Sequence, residues 1–308
     1  IPFIRFFLFI LFLIFLFSFS DNLLLKIYNF LFYLLIFLSL DALFQYFTNY
    51  NFFGILQNGR LSGMFGDEWI LGSFLSKFYG LFLCLNFLKG NKDNFLLNKK
   101  NFIKHLLMFF LIYLTIMLSN ERAAFFTFNL FAILFLLIKR STRVYAYIII
   151  VIIFVLNMLF YSFNDAYKQR YIIKVQNQFS TSSININYFP NDYAGFFNSS
   201  IDIFKKKPLL GSGVRTFRIE CKKFQFKYKN SCSTHPHNYY FEILSEVGIL
   251  GIILMIIFNF YFIKNFLINL LKNKHLVNKD VIYLNLLIII LFQPFTTTGS
   301  FFNNWNAA

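Results

Sequence analysis

Residues 235–262 read HPHNYYFEILSEVGILGIILMIIFNFYF. The first four close a long polar stretch. The rest open as a helix, polar for two turns and then almost wholly apolar. Such a helix is long enough to cross about 30 Å of hydrocarbon. Two of the chain's four histidines and two of its thirteen acids stand at its entrance. Titratable groups at a membrane surface are costly and mark functional positions.

The pattern repeats along the chain. Of the 308 residues, 58% are hydrophobic and only 14% charged, against about 25% charged in soluble domains. Apolar runs predict eight spans near 3–19, 23–40, 70–88, 102–118, 123–138, 144–161, 239–262 and 281–292. The reading is an all-α polytopic integral membrane protein. It has helices 1–6 in residues 1–161, one large loop at 162–238, and helices 7–8 with a short tail in 239–308. The 49 phenylalanines carry little functional weight. Phe, Ile, Asn, Lys and Tyr are enriched together, as in an A+T-rich coding sequence, and Phe serves as well as Leu against lipid.

Short-loop charge fixes the orientation. Loop 89–104 carries five Lys, loop 139–143 three Lys/Arg and loop 263–280 four Lys. The alternate loops carry one (Arg60 in 41–69), one (Arg122 in 119–122) and none (293–308). The basic set is therefore cytoplasmic, and loop 162–238 faces outward. Its net charge of +8 does not contradict this, because long loops escape the rule. The loop's beginning, 162–187, reads as irregular. Lys205-Lys206-Lys207-Pro208 is a basic run ended by turns, suited to diphosphates or lipid headgroups. The chain starts at Ile1 inside an apolar run that no small-x-small cleavage site follows. Earlier sequence, with further spans, is expected to precede it.

Cys221 and Cys232 share the large loop. An oxidising compartment would let them pair. Zinc is the alternative, with His235 and His237 nearby, but the spacing matches no strong zinc pattern. No metal or cofactor is expected. Nucleic acid is a poor partner, because the basic residues are split among membrane loops.

On a helix beginning near Asn238, residues Asn238, Glu242, Ser245 and Ile249 share a face, with Glu246 at its edge. That stripe should point inward. His237 stands at the helix entrance, where imidazole can take a proton from an attacking hydroxyl. His235 lies beyond Pro236. Three outward arginines can fork onto phosphate oxygens: Arg60, Arg122 and Arg215. Arg122 also starts a helix, where the dipole favours an anion. Glu121 could instead neutralise Arg122, and Arg60 could simply snorkel to the interface.

The string from Thr234 through Tyr240, with Glu246-Val247-Gly248-Ile249-Leu250-Gly251, resembles the signature of the O-antigen ligase/polymerase superfamily. Gly59–Phe65, Ser119–Ala124, Gly211-Ser212-Gly213 and the ending Pro294–Phe302 resemble its other recurring segments, in the same order. The resemblance covers roughly residues 55–308. It implies a bacterial inner-membrane glycosyltransferase with a GT-C-like helical bundle and a periplasm-facing site. The donor would be an undecaprenyl-diphosphate-linked glycan. The acceptor would be lipid A–core in ligases, another lipid-linked glycan in polymerases, or a protein hydroxyl in related oligosaccharyltransferases. Membrane lipids would surround it. The motif histidine maps to His237 as base or acceptor-positioning group. Arg122 and Arg215 map to diphosphate ligands, with Arg60, His235, Asn238, Glu242 and Glu246 around the substrate. The competing class is a non-enzymatic lipid-glycan transporter. Transporters show internal repeats and polar groups near mid-membrane, whereas here no repeat is evident and the polar groups gather at one surface.

Overall fold

The computed structural model describes residues 11–12, 23–88, 99–138, 143–179, 191–228, 230–271 and 279–302. The architecture is all-helical. Among the described residues the one extended pairing is an isolated bridge between Tyr50 and Leu56. Pro208, Pro236 and Pro294 all fall between helices, as their missing N–H and fixed φ require.

The main helices are α1 (Leu23–Thr48), α2 (Leu71–Leu88), α3 (Lys99–Leu118), α4 (Arg122–Ile138), α5 (Arg143–Phe163), α6 (Asn191–Lys206), α7 (Tyr239–Leu271) and α8 (Lys279–Leu291). Three of them, α1, α5 and α7, are both long and apolar enough to cross a membrane, with 26, 21 and 33 residues. The apolar parts of α3, α4 and α8 are shorter. The span expected at 3–19 lies almost wholly outside the described residues, as do the basic loop segments 89–98, 139–142 and 272–278.

Three boundaries differ from the sequence reading, one of them the end of α7, which runs to Leu271 rather than stopping at Phe262. Helix α1 does not stop at Leu40. It runs on to Thr48 and carries Asp41 and Gln45 fully buried. Their side chains accept or donate hydrogen bonds in the following loop, so the polar pair continues the helix rather than ending it. Residues 165–179, expected to be irregular, are helical with a π-type turn at Lys168–Ile173. Asn164 starts that run by accepting from the Tyr167 N–H, an N-cap that its Asn/Gln-rich composition obscured.

The chain divides into two compact units. One comprises residues 10–170 and 265–291. In it, α2 packs against α1, α3, α4 and α8. The core is aromatic: Tyr28 stacks on Phe82 at 4.7 Å and Phe109 on Phe128 at 5.2 Å. Gly80 gives the Leu287 side chain of α8 room against α2, since a Cβ there would sit 2.5 Å from it.

The other unit comprises residues 1–9, 171–264 and 292–308. It has a small core of its own, formed by Ile203 of α6 with Phe217, Cys221 and Phe224. The amphipathic helix α6 supplies one wall. A disulfide between Cys221 and Cys232, Cα–Cα 4.9 Å, closes the loop that leads to the histidine segment. The pair is therefore bridged, and its sulfurs are not thiolate ligands.

Candidate functional site

Helix α7 is broken at Gly248, where φ is 75° and ψ −158°. The break frees backbone groups that an unbroken helix would pair internally. The segment 208–213 satisfies them. The Ile249 N–H donates to the Pro208 carbonyl at 2.8 Å. The Ser212 and Gly213 N–H groups donate to the carbonyls of Ser245 and Glu246, each at 2.9 Å. Two glycines permit so close an approach. A Cβ on Gly248 would lie 2.6 Å from the Gly211 nitrogen, and one on Gly211 would lie 2.4 Å from the Glu246 carbonyl carbon. Gly211-Ser212-Gly213 and Glu246-Val247-Gly248 are thus two halves of one backbone joint.

Glu246 completes the joint. One carboxylate oxygen accepts the Arg215 N–H at 2.6 Å and the other the Phe217 N–H at 2.9 Å. The carboxylate is 2% exposed, so these bonds are shielded from water. It holds Arg215 in a left-handed conformation, φ 61°. That geometry is costly for a residue with a Cβ and persists only where the surroundings impose it.

Glu242, one turn earlier on α7 and 1% exposed, binds the C-terminal segment instead. It accepts from the Ser300 hydroxyl and the Phe301 N–H, at 2.5 and 2.6 Å. Asn238 caps α7, its Oδ1 accepting the Tyr240 N–H at 2.9 Å. Its Nδ2 donates to the Pro294 carbonyl at 2.8 Å. The polar members of the predicted stripe are therefore buried: Asn238 and Glu242 grip the C-terminal segment, Glu246 grips residues 215–217, and the Ser245 hydroxyl donates to carbonyls of its own helix. Ile249 is the exception, because the break at Gly248 takes its amide out of the helical register.

His237 lies immediately before this helix and, among the described residues, is with Arg215 one of two that are neither glycine nor asparagine and have positive φ, here 60°. Its carbonyl accepts the Thr298 N–H at 2.9 Å, so the C-terminal segment also sets its backbone. The ring is half-buried among Tyr193, Phe196 and His235, with centroids 5.9, 5.3 and 4.3 Å away. The Ser233 Oγ stands 3.5 Å from its Nε2. Burial pushes the His237 pKa below the ordinary 6.5. It pushes His235 down to about 4, helped by the neighbouring His237 and opposed by a Thr298 backbone hydrogen bond. Both imidazoles are therefore neutral near pH 7, the form that can accept a proton.

Arg60 and Arg122 belong to the other unit. Arg60 lies 4.8 Å over the Trp69 ring, and the Trp69 indole N–H donates to the Asn58 carbonyl. Arg122 is the first residue of α4. Glu121 is turned to a different task. Its carboxylate accepts the Gly72 and Ser73 N–H groups and the Ser73 hydroxyl, at 2.5, 3.0 and 2.8 Å. It thus sits on the N-terminus of α2, where the helix dipole favours an anion. Burial raises its pKa, while those hydrogen bonds and Arg60 pull it down. Sequence reasoning missed Glu121 in this role, and also Ser300 and Arg170. The Arg170 Nε donates to the carbonyl of Asn120 at 3.3 Å. A signal for Glu121 existed in its place beside Arg122; none existed for the other two.

Among the described residues no cluster of His, Cys, Asp and Glu could hold a metal ion. The arrangement offers a neutral imidazole at a helix head, and an arginine fixed two turns along it by a buried carboxylate.

An all-helical chain with three helices long and apolar enough to cross a membrane has the make-up of a membrane protein. Residues 107–256, just under half of the chain, match the family model described as O-Antigen ligase. That match supports membership in the O-antigen ligase superfamily. The matched span contains the Ser119–Ala124, Gly211–Gly213 and Thr234–Gly251 segments. No curated protein matches the chain. Membership supports a ligase- or polymerase-type function on lipid-linked glycans.

Proposed function

We propose that the chain is a polytopic inner-membrane glycosyltransferase acting at the periplasmic face. It would move a glycan from undecaprenyl diphosphate onto lipid A–core, as an O-antigen ligase. Eight spans follow from the apolar runs, and the outward side of loop 162–238 from the loop-charge asymmetry. The acceptor hydroxyl attacks the anomeric carbon and forms the new C–O bond. The bond from that carbon to the diphosphate oxygen breaks. His237 takes the hydroxyl proton, and Arg215 stabilises the charge on the departing undecaprenyl diphosphate; Arg122 and Arg60 are further candidate phosphate-binding residues. His235 and Asn238 shape the acceptor side, and Glu242 and Glu246 set the backbone that carries it.

One observation carries this reading. A neutral imidazole is locked in a left-handed turn at the head of α7, and Glu246 of the same helix locks Arg215 in another. Asn238 and Glu246 are eight residues apart, roughly 12 Å of helix. A base and an anion-binding fork on one rigid strut suit a donor that spans sugar and diphosphate.

The test is transfer in proteoliposomes from a glycan-loaded undecaprenyl diphosphate to lipid A–core. His237→Ala should lower the rate by about 10²–10⁴-fold at unchanged protein level. Transfer at near wild-type rate would make the histidine structural. In a deletion strain, loss of capped lipid A–core with intact polymer indicates ligase, and single-unit glycans indicate polymerase. Reporter fusions at Asn187 and Asn273 should report opposite sides of the membrane. The same side for both would sink the orientation.

A further inference from the structure

The turn joining α6 to the Gly211 joint is unlike the rest of its unit. Lys205, Lys206, Lys207 and Pro208 are exposed, and Leu209 and Leu210 are exposed at 68% and 71%. Two adjacent leucines this bare, one proline after three lysines, have no covering element among the described residues. Their position along α7 is fixed. The Pro208 carbonyl accepts the Ile249 N–H, and the Leu209 carbonyl faces Gly248.

That level is where α7 changes character. Glu246 and Lys264 bracket residues 247–263, which contain no charged side chain. Seventeen residues of helix rise roughly 25 Å, close to the hydrocarbon thickness. Along this stretch Leu250, Leu254, Ile257 and Tyr261 are exposed at 50–67%. They read as the lipid-facing side. The boundary of the apolar layer therefore falls at residues 247–249, the point where Pro208 and Leu209 dock.

We propose that Lys205–Leu210 is a membrane-interface wedge. Leu209 and Leu210 dip below the headgroups at the end of α7, and the lysines bind the phosphates of anionic phospholipids. The inference rests on α7 crossing the membrane. The chemistry fits the two-signal pattern of interfacial anchors, in which buried apolar side chains and basic contacts to anionic lipid act together. The lysines are not equivalent. Lys205 stands 3.8 Å from Asp202, whose second oxygen takes Lys227, and Lys206 lies 4.6 Å over the Phe224 ring. Long lysine stems can hold such contacts and still present their ammonium groups at the headgroup level. The wedge would fix the height of the Gly211 joint, and so of Arg215, relative to the bilayer surface.

The test is a nitroxide label on Leu210→Cys in proteoliposomes containing phosphatidylglycerol. Cys221 and Cys232 are bridged and Cys84 is buried, so the label is specific. The expected result is oxygen accessibility exceeding that of a water-soluble nickel chelate, as for a bilayer position. A label on Leu254→Cys, on the exposed side of α7, should be deeper still. Leu210→Cys in water with Leu254→Cys in lipid overturns the wedge and leaves the span standing. Both labels in water overturn the span and the wedge with it. Replacing Lys205, Lys206 and Lys207 with Gln should shift the Leu210→Cys label toward water in phosphatidylglycerol vesicles and leave it unmoved in phosphatidylcholine. No shift in the anionic vesicles refutes the headgroup contact.

Discussion

Glu246→Gln isolates the carboxylate that holds Arg215. The substitution keeps size and shape, so packing is unchanged. Glutamine, however, has one acceptor oxygen where glutamate has two. Whichever way the amide turns, its NH₂ faces either the Arg215 or the Phe217 N–H, donor against donor. Hydrogen bonds to a charged group contribute about 1.5–3 kcal/mol each, and a buried donor left unpaired costs about 1–3 kcal/mol. Losing one bond outright and the charge on the other should therefore weaken the closed loop by about 3 kcal/mol. At 1.4 kcal/mol per tenfold, that is about a 10²-fold change in the local opening equilibrium. Amide hydrogen exchange measures that equilibrium directly. The amides of Ser212, Gly213, Arg215 and Phe217 should exchange about 10²-fold faster in the variant. Amides deep in α2 should be unaffected. Glycan transfer should fall with the loop, because Arg215 spends less time in its left-handed turn. Wild-type exchange rates at 212–217 in Glu246→Gln would refute the clamp.

The remaining expectations concern the histidines, the disulfide and the glycine joint. His235 and His237 both have folded pKa values below the ordinary 6.5, His235 at about 4. The folded state therefore binds fewer protons than the unfolded one, and stability should be full above pH 6.5 and decline as pH falls toward 4. Melting temperature against pH should show this decline, and His235→Asn should flatten it. On the same grounds the acid limb of the transfer rate should lie below pH 6.5; a limb at or above that value would contradict a buried, neutral His237. Reduction should shift gel mobility, and Cys221→Ser should abolish that shift. For a loop closed over a separation of 11 residues the bridge should contribute about 2–3 kcal/mol. Free reaction of both thiols with an impermeant maleimide, without reductant, would count against it. Gly248→Ala combines a positive φ, costing about 1–2 kcal/mol, with a Cβ driven into the backbone of Leu209 and Gly211. Gly54→Ala meets nothing within 4 Å at a similar φ and is the control for strain alone. Equal thermal stability for the two variants would remove the joint.

What could be read from the sequence divides by the physics that encodes it. Apolar length is local, so α2 to α5 and α8 were legible to within a few residues, and α7 was legible at its start but not over its last nine residues. The Thr234–Gly251 string is also local, and it pointed to the family whose model matches residues 107–256. The polar stripe on α7 was legible as buried, because carboxylates on an apolar helix must be satisfied. Their partners were not legible. Glu121, Glu242 and Glu246 all bind backbone N–H groups, and any residue but proline supplies one. No side-chain type at 72, 215 or 301 announces such a contact, and the separations run from 29 to 59 residues. The same holds for α1, where Asp41 and Gln45 look like a helix end until their loop partners at 52, 62 and 63 are in place. Acid and amide side chains in this chain therefore act mainly as clamps on distant backbone. His237 and Arg215 stand at the ends of two such clamped segments, where the proposed reaction needs a base and a cation. The buried carboxylates Asp41, Glu121, Glu242 and Glu246 each hold backbone N–H groups of another segment, while Asp202 and Glu220 pair with lysines.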